Sequence, residues 1–329
     1  MAERSAIEWC DATVNFWWGC TKVSPGCDHC YAEELNRFRG NGVWGIGADR
    51  RKIKGAAALI RKLQRTVDEF EAVHGRRRRV FMQSMSDTFD NEVDDAWRAE
   101  LFAEAEAADR LNIILLTKRG TDVEKMVPAH WLNGGWPQHV GLMVTMTDMI
   151  EAERDAERLC KLKKRLGIPW VGVSIEPMRG PINLRRLRVS RDLFFDALTG
   201  DYSVSPVRAH RAPAVPEPLP GLDWIIVGGE SGKSARPMHP AWVSDIVRHC
   251  SDTGTAVLVK QWGEWLPRSE VRSHNMPDYR KVETINLPAD PSPFAVVQLD
   301  IMRMYRVGKA NAGRLLDGRE YLQFPEALR

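Results

Sequence analysis

Short apolar runs recur along the central part of the chain, and polar stretches of helical character separate them. The runs are rich in Val, Ile and Leu, as is typical of strands that are buried on both faces of a parallel sheet. They lie at 80–84, 112–117, 140–146, 170–175, 224–229 and 256–259, and a further strand is predicted at 13–18. Apart from one longer interval, the runs begin about 30 residues apart, which is the length of a strand-helix repeat.

The segments between the runs are predicted to be crossover helices. They lie at 31–38, 56–74, 96–108, 149–166 and 240–250. The last of these opens with a proline, which is favoured in the first turn of a helix. The pattern therefore predicts an α/β fold, in the form of a partial TIM-type (β/α) barrel over residues 1–265.

Two regions depart from the repeat. The long interval, at about 180–222, contains a basic segment at 185–188 and a Pro-rich stretch, which favours an inserted lid or docking loop over core. The repeat stops after residue 265. Residues 266–329, with a strand predicted at 294–299, are expected to form a C-terminal appendage packed on the barrel.

Polar residues follow each predicted strand, at the edge where parallel barrels build their active sites. The candidates for ligand contact are Ser86, Asp87, Lys118, Glu176, Gly228, Gly229 and Glu230. The two glycines precede a carboxylate and permit a close approach of the backbone to a ligand. The simpler alternatives are that charges resume where the core stops and that Lys118 and Lys260 pair with the glutamates.

The composition is that of a globular protein, since 43% of the 329 residues are hydrophobic and 28% are charged. No apolar stretch reaches the roughly 20 residues of a membrane helix, and the N-terminus does not resemble a signal peptide. A cytoplasmic protein with no membrane partner is therefore expected. The formal charge of +3 does not indicate nucleic acid, so any polyanion site must be local. The run at 76–79 is either such a site or a solvated loop.

Six cysteines in a cytoplasmic chain are more typical of thiols or ligands than of disulfides. Cys20, Cys27 and Cys30 follow a predicted strand and precede a predicted helix, with the spacing C-x6-C-x2-C. Three such thiolates can bind three irons of a 4Fe-4S cluster and leave the fourth iron open. Zinc is the main alternative, with His29, Cys10 or a distant histidine completing the site. The second alternative is that the three cysteines are purely structural and bind no metal.

Six segments of the chain resemble a family of phage and bacterial proteins that is marked by a three-cysteine motif. They are Trp18 to Cys27, Cys30 to Glu33, Val227 to Gly232, Arg236 to Pro240, Lys260 to Gly263 and Gly313 to Gly318. The resemblance covers most of the chain, but it implies no particular reaction.

More widely, the chain is similar to the radical S-adenosylmethionine superfamily. That resemblance implies a cluster loop at 19–31, a 4Fe-4S cluster, S-adenosylmethionine as cosubstrate, and an electron donor of the flavodoxin or ferredoxin type. His29 matches the aromatic position that lies near the adenine. The chain departs from the superfamily in its first cysteine gap, which is six residues rather than three. Its Gly-Gly-Glu sequence ends the sixth of the seven predicted strands rather than the second, after which Ser86 and Asp87 stand instead.

Two hypotheses follow for the function. In the first, a 5′-deoxyadenosyl radical abstracts hydrogen from a nucleotide or nucleic-acid substrate. The substrate class comes from the Thr117-Lys118 strand ending, which is similar to that of spore-photoproduct-lyase-like members. In the second, the chain is a non-enzymatic nucleic-acid-binding module. It has a structural zinc or iron-sulfur site, and the arginines at 76–79 and 185–188 bind phosphates. Either hypothesis is compatible with a partner protein.

Overall fold

The computed structural model describes residues 1–38, 42–205, 214–272, 277–278, 280–290 and 300–329. The chain forms two compact units. The first unit comprises Met1–Thr145, Lys161–Gly172 and Pro325–Arg329, and the second comprises Met146–Cys160 and Val173–Phe324. The domain boundary predicted between residues 265 and 266 stays a prediction.

Strands and helices alternate through most of the chain. The described strands are β1 (Ala12–Val14), β2 (Trp17–Trp18), β3 (Arg51–Lys52), β4 (Arg79–Met82), β5 (Asn112–Thr117), β6 (Val140–Thr145), β7 (Val171–Ile175), β8 (Leu187–Arg188), β9 (Leu193–Phe195), β10 (Tyr202–Val204), β11 (Trp224–Gly228), β12 (Ala256–Gln261), β13 (Trp265–Pro267), β14 (Thr284–Pro288) and β15 (Ile301–Arg306). The described α-helices are α1 (Tyr31–Phe38), α2 (Ala56–Arg65), α3 (Val67–His74), α4 (Asp95–Ala107), α5 (Val123–Met126), α6 (Met149–Leu166), α7 (Pro240–Thr253) and α8 (Lys309–Ala312).

The main sheet is parallel and has seven strands, in the order β1-β4-β5-β6-β7-β11-β12. Each of the six apolar runs overlaps one of these strands, and the strand predicted at 13–18 overlaps β1 and includes β2. All residues of β6, β7 and β11 are buried, which explains why these runs are apolar throughout rather than alternating. The predicted α/β fold with a parallel sheet is therefore confirmed.

Local sequence signals set the helix limits. His239 caps α7, because its Nδ1 accepts a hydrogen bond from the Ala241 amide at 3.1 Å, and Pro240 occupies the first turn. The helix ends at Gly254, whose φ of 75° is left-handed. The single helix predicted at 56–74 is instead two helices, α2 and α3, which meet at Thr66.

The segment between β7 and β11 contains a small sheet of its own. Strands β10, β9 and β8 pair antiparallel in that order. Phe195 is fully buried and its ring centroid lies 4.9 Å from that of Tyr202. The described part of the predicted insertion therefore has an apolar core.

The C-terminal part of the second unit contains a second antiparallel sheet, in the order β13-β15-β14. Trp265 and Met304 are buried in its core together with Ala235. Further along the chain, the Tyr321 carbonyl oxygen accepts a hydrogen bond from the Val259 amide of β12 at 2.8 Å. The strand predicted at 294–299 lies outside the described residues.

The four consecutive arginines at 76–79 all have partners within the first unit. Arg76 forms two hydrogen bonds with the Asp11 carboxylate, at 2.7 and 2.8 Å. The other three guanidinium groups donate to backbone carbonyl oxygens: Arg77 to Asp109, Arg78 to Leu63 and Arg79 to Leu328. These contacts account for the basic run without a phosphate ligand.

In the portion of the chain that the structure describes, no helix combines the length and apolar character needed to cross a bilayer.

The Asp11 site predicts a pH-dependent contribution to stability. Burial raises the pKa of the Asp11 carboxyl group, but hydrogen bonds from the Arg76 side chain and the Arg79 amide lower it, and the net pKa lies below its ordinary value. The carboxylate therefore stabilises the fold above the ordinary aspartate pKa, and this contribution disappears as the pH falls through the lowered value. We expect Asp11→Asn to reduce the free energy of unfolding by about 2 kcal/mol at pH 7, and by much less near pH 3, as measured by urea denaturation.

Asp68→Asn is the matched control, because the Asp68 carboxylate pairs with Arg110 at the surface. We expect a smaller change for it at pH 7. An Asp11→Asn effect that does not depend on pH would contradict this interpretation.

Candidate functional site

The three clustered cysteines lie on one loop of the first unit, between β2 and α1. We call residues 19–31 the cysteine loop. A single turn of 3-10 helix at Pro25–Cys27 organises its centre, and the Ser24 hydroxyl caps this turn by accepting a hydrogen bond from the Gly26 amide at 3.2 Å. Cys27 is buried, whereas Cys20 and Cys30 are partly exposed. All six cysteines of the chain are free thiols.

Glycine is required where the cysteine loop begins. Gly19 has a φ of 111°, and a Cβ atom at this position would lie 2.1 Å from the Val43 carbonyl oxygen. Its amide donates to the Met85 carbonyl oxygen at 3.2 Å, and its backbone pairs with that of Ser86. The cysteine loop therefore starts against the segment that follows β4, at the carboxyl end of the parallel strands.

A buried arginine anchors the base of the cysteine loop. The Arg50 Nε atom lies 2.7 Å from the Asp90 carboxylate, and both side chains are almost completely buried. The Nη2 atom of Arg50 donates to the Thr21 hydroxyl at 2.7 Å and to Glu92 at 3.1 Å, and its Nη1 atom donates to backbone carbonyl oxygens at residues 45 and 48. This network joins the residue after Cys20 to two other segments of the first unit.

A second buried arginine contacts Cys20 directly. The Arg119 Nη2 atom lies 4.0 Å from the Cys20 sulfur and donates to the Thr21 carbonyl oxygen at 3.0 Å. The same atom lies 3.3 Å from a carboxylate oxygen of Asp90. Arg119 follows β5, so the ends of two neighbouring strands supply the charges that surround this thiol.

The environment of Cys20 keeps its thiol protonated. Burial and the negative charges of Asp87 and Asp90 raise the pKa of Cys20, Arg119 opposes them, and the net value is about 12. At neutral pH the sulfur is therefore a thiol and not an activated nucleophile.

The predicted contact residues Ser86 and Asp87 tie strand ends together. One carboxylate oxygen of Asp87 accepts hydrogen bonds from the Thr117 hydroxyl at 2.7 Å and the Phe89 amide at 2.9 Å, and the other accepts from the Lys118 amide at 3.0 Å. The Ser86 hydroxyl donates to a backbone carbonyl oxygen of β2 at 3.1 Å. These two side chains therefore position the backbone around the cysteine loop.

His29 and Lys118 also lie in the first unit, and both are half-buried. His29 sits in the cysteine loop between Cys27 and Cys30. Over the described parts of the chain, no three Cys, His, Asp or Glu side chains are gathered closely enough to hold a metal ion. A metal site at the three cysteines therefore stays a prediction.

Glu176 lies in the second unit, directly after β7, where it forms an ion pair. One carboxylate oxygen lies 2.8 Å from the Lys260 Nζ atom, and the other accepts a hydrogen bond from the Ser174 hydroxyl at 3.2 Å. A Cβ atom on Gly228 would lie 2.7 Å from Glu176 Oε1. Gly228 therefore leaves room for the glutamate side chain, and the predicted alternative of a lysine-glutamate pair is what the structure contains here.

The second glycine of the pair, Gly229, permits two backbones to pack closely. A Cβ atom on Gly229 would lie 2.0 Å from the Trp262 carbonyl oxygen, and one on Gly263 would lie 2.1 Å from the Glu230 carbonyl oxygen. The Glu230 carboxylate is occupied by Arg236, whose side chain donates two hydrogen bonds at 2.8 and 2.6 Å. Protein atoms therefore account for the Gly-Gly-Glu sequence, and its contact with a cofactor stays a prediction.

The structure adds Arg50, Asp90 and Arg119 to the residues that surround the cysteine loop. Arg119 stands next to Lys118 in the polar group that follows β5, so its position at a strand end was a usable signal. Arg50 and Asp90 lie in irregular segments, where hydrophobic periodicity carries no information.

Comparison with known protein families gives a match over most of the chain. The family described as "Protein of unknown function (DUF5131)" matches residues 4–325. No curated protein and no solved structure matches the chain.

The Arg50 network predicts a large loss of stability on substitution. Arg50→Met leaves the buried Asp90 carboxylate without its closest cation, and we expect the free energy of unfolding to fall by about 3–5 kcal/mol. Arg51→Met is the control, because Arg51 is exposed and stacks over Trp18 at 4.6 Å. We expect the control to cost less than about 1 kcal/mol. Similar values for the two variants in urea denaturation would show that the network contributes little.

The packing of Gly229 yields a second prediction. Gly229→Ala forces a methyl group into the Trp262 backbone, and we expect a loss of about 2–3 kcal/mol. Gly180→Ala in the same unit is the control, since a Cβ there meets no atom within 4 Å and its φ is not left-handed. Thermal denaturation should show a lower Tm for Gly229→Ala alone, and equal Tm values would disprove the packing role.

Proposed function

We propose that this chain, which belongs to the DUF5131 family, is an iron-sulfur enzyme of the radical S-adenosylmethionine type. Cys20, Cys27 and Cys30 are proposed to hold a 4Fe-4S cluster. The observation that carries this proposal is that three free thiols share one loop, which lies against the segments that follow two parallel strands.

The donor set fits such a cluster in its chemistry. Thiolates are the usual ligands of iron-sulfur clusters, and three of them leave one iron open to a further ligand. Because the cysteine loop contains only one short helical turn between its ends, its side chains can gather around a cluster without displacing a helix or strand. The anchors at Thr21 hold the start of the loop while this happens.

A cluster held by Cys20, Cys27 and Cys30 would supply one electron to S-adenosylmethionine, and cleavage of its bond between sulfur and C5′ would give methionine and a 5′-deoxyadenosyl radical able to take a hydrogen atom from the substrate. A flavodoxin or ferredoxin type of protein is proposed as the electron donor. A nucleotide or nucleic acid is the proposed substrate.

The chain's own residues would then position the reactants. In the first unit, Ser86 and Asp87 fix the backbone at the ends of β4 and β5, and His29 and Lys118 are the proposed contacts for the cosubstrate. In the second unit, ligand contacts at Glu176 and in the Gly-Gly-Glu segment stay predictions from the sequence, and the two carboxylates there are occupied by Lys260 and Arg236. The nucleic-acid module is the weaker alternative, because internal partners account for the arginines at 76–79.

Anaerobic reconstitution with iron and sulfide tests the proposal. We expect a brown protein with about four irons per chain and an electron paramagnetic resonance signal after reduction. Adding S-adenosylmethionine and reductant should yield 5′-deoxyadenosine and methionine. Cys20→Ser, Cys27→Ser and Cys30→Ser should each lose most of the iron.

Cys250→Ala is the matched control, because Cys250 is buried in α7 of the second unit. We expect it to retain the iron of the unmodified protein. A colourless protein that takes up zinc but no iron, or iron uptake that is unaffected by all three serine substitutions, would refute the proposal.

A further inference from the structure

We propose that the exposed face of α1 is the contact surface of a homodimer, in which the helix packs antiparallel against α1 of a second copy of this chain across a two-fold axis. The inference goes beyond the proposed function and does not depend on it. We call the side chains of Tyr31, Leu35 and Phe38 the apolar stripe of α1.

The apolar stripe lies on the solvent side of the helix. Residues that are three or four positions apart are neighbours on one side of a helix, and this spacing places Tyr31, Leu35 and Phe38 in a single row. Their exposed fractions are 54%, 38% and 90%. The buried residues of α1 are Ala32 and Asn36, one small and one polar. The helix therefore directs its large apolar side chains outward, the reverse of the usual arrangement in a surface helix.

The body of the first unit holds the start of the apolar stripe in place. The Tyr31 hydroxyl donates a hydrogen bond to the Ser84 carbonyl oxygen at 2.6 Å. An ion pair between Lys22 and Glu33, at 2.9 Å, joins α1 to the cysteine loop. Because a surface that is ordered before binding loses little conformational entropy on association, these contacts favour α1 as a binding surface.

The charged residues beside the stripe indicate a second copy as the occupant. A turn of about 100° per residue places Glu34 and Arg37 on the same flank of the stripe, with Glu34 nearer the start of the helix. Both side chains are exposed, and in the described part of the chain neither forms an ion pair. A two-fold axis between antiparallel helices brings the same flank of each copy together with the ends reversed. Glu34 of each copy then faces the partner's Arg37.

Other occupants fit the charges of α1 less well. Parallel packing of two copies would place each glutamate opposite its own equivalent, and like charges across an interface repel. A nucleic acid requires a positive surface, whereas α1 carries two glutamates and one arginine. Antiparallel packing also brings Tyr31 of one copy towards Phe38 of the other, and aromatic side chains are enriched in protein interfaces.

Sedimentation velocity of the full-length protein tests the homodimer, at concentrations up to about 100 µM and with a reductant so that free thiols do not link the copies. We expect a dimer that dissociates on dilution. Leu35→Ser and Phe38→Ser should each raise its dissociation constant about tenfold. Val73→Ser is the matched control and should have no effect, because Val73 is an apolar residue of α3 in the same unit and is 77% exposed. Circular dichroism checks that each variant is folded.

Charge reversal tests the antiparallel arrangement. Glu34→Arg alone brings two arginines together at each contact, and Arg37→Glu alone brings two glutamates together, so each should raise the dissociation constant about tenfold. The chain that carries both substitutions should dimerise like the unmodified protein. An equimolar mixture of the two single variants should form a heterodimer, because opposite charges then meet at both contacts.

Three results would overturn the inference. The first is an unmodified chain that remains monomeric at the highest concentration. The second is a dimer that Leu35→Ser and Phe38→Ser leave unchanged, because its contact would then lie elsewhere. The third is a dimer that depends on the stripe but is not restored by the double substitution. None of these measurements uses iron, so a failure of the proposed function leaves this inference intact.

Discussion

The cysteine loop depends on the buried ion pair between Arg50 and Asp90. A charged pair with almost no exposure is stable only when its remaining donors and acceptors are also satisfied, and Arg50 meets this condition with five protein acceptors. Two of its contacts reach the cysteine loop and its supporting segment, at Thr21 and at residue 45. The position of the first cysteine is therefore determined by a charge network that lies outside the motif itself.

The same network explains the chemistry available at Cys20. Carboxylates and burial act together against a thiolate, and Arg119 only partly offsets them. Such a thiol is a poor nucleophile, but it can lose its proton to a cation that binds in its place. Among the described residues no three potential metal ligands are gathered, whereas the start of the loop is anchored at Thr21 by Arg50 and Arg119.

In the second unit, polar residues at strand ends form ion pairs and hydrogen bonds with other protein side chains. Glu176 pairs with Lys260, and Glu230 accepts two hydrogen bonds from the Arg236 guanidinium group. Gly229 and Gly263 allow two backbones to approach within a distance that any side chain would prevent. Polar residues at the carboxyl ends of strands can therefore stabilise the fold or contact a ligand. A Gly-Gly-Glu sequence is compatible with both roles.

The amino-acid sequence by itself determined the approximate positions of all seven strands in the main sheet and of most crossover helices. Local hydrophobic periodicity reflects burial, and capping residues mark where helices begin and end. It also identified the three thiols, since their spacing is a local property. Only the tertiary structure decided which charges pair, as with Arg50 and Asp90 or Arg119 and Cys20, and why Gly228 and Gly229 are glycines. These features depend on distances between atoms that are far apart along the chain, and no local pattern of residue types encodes such distances.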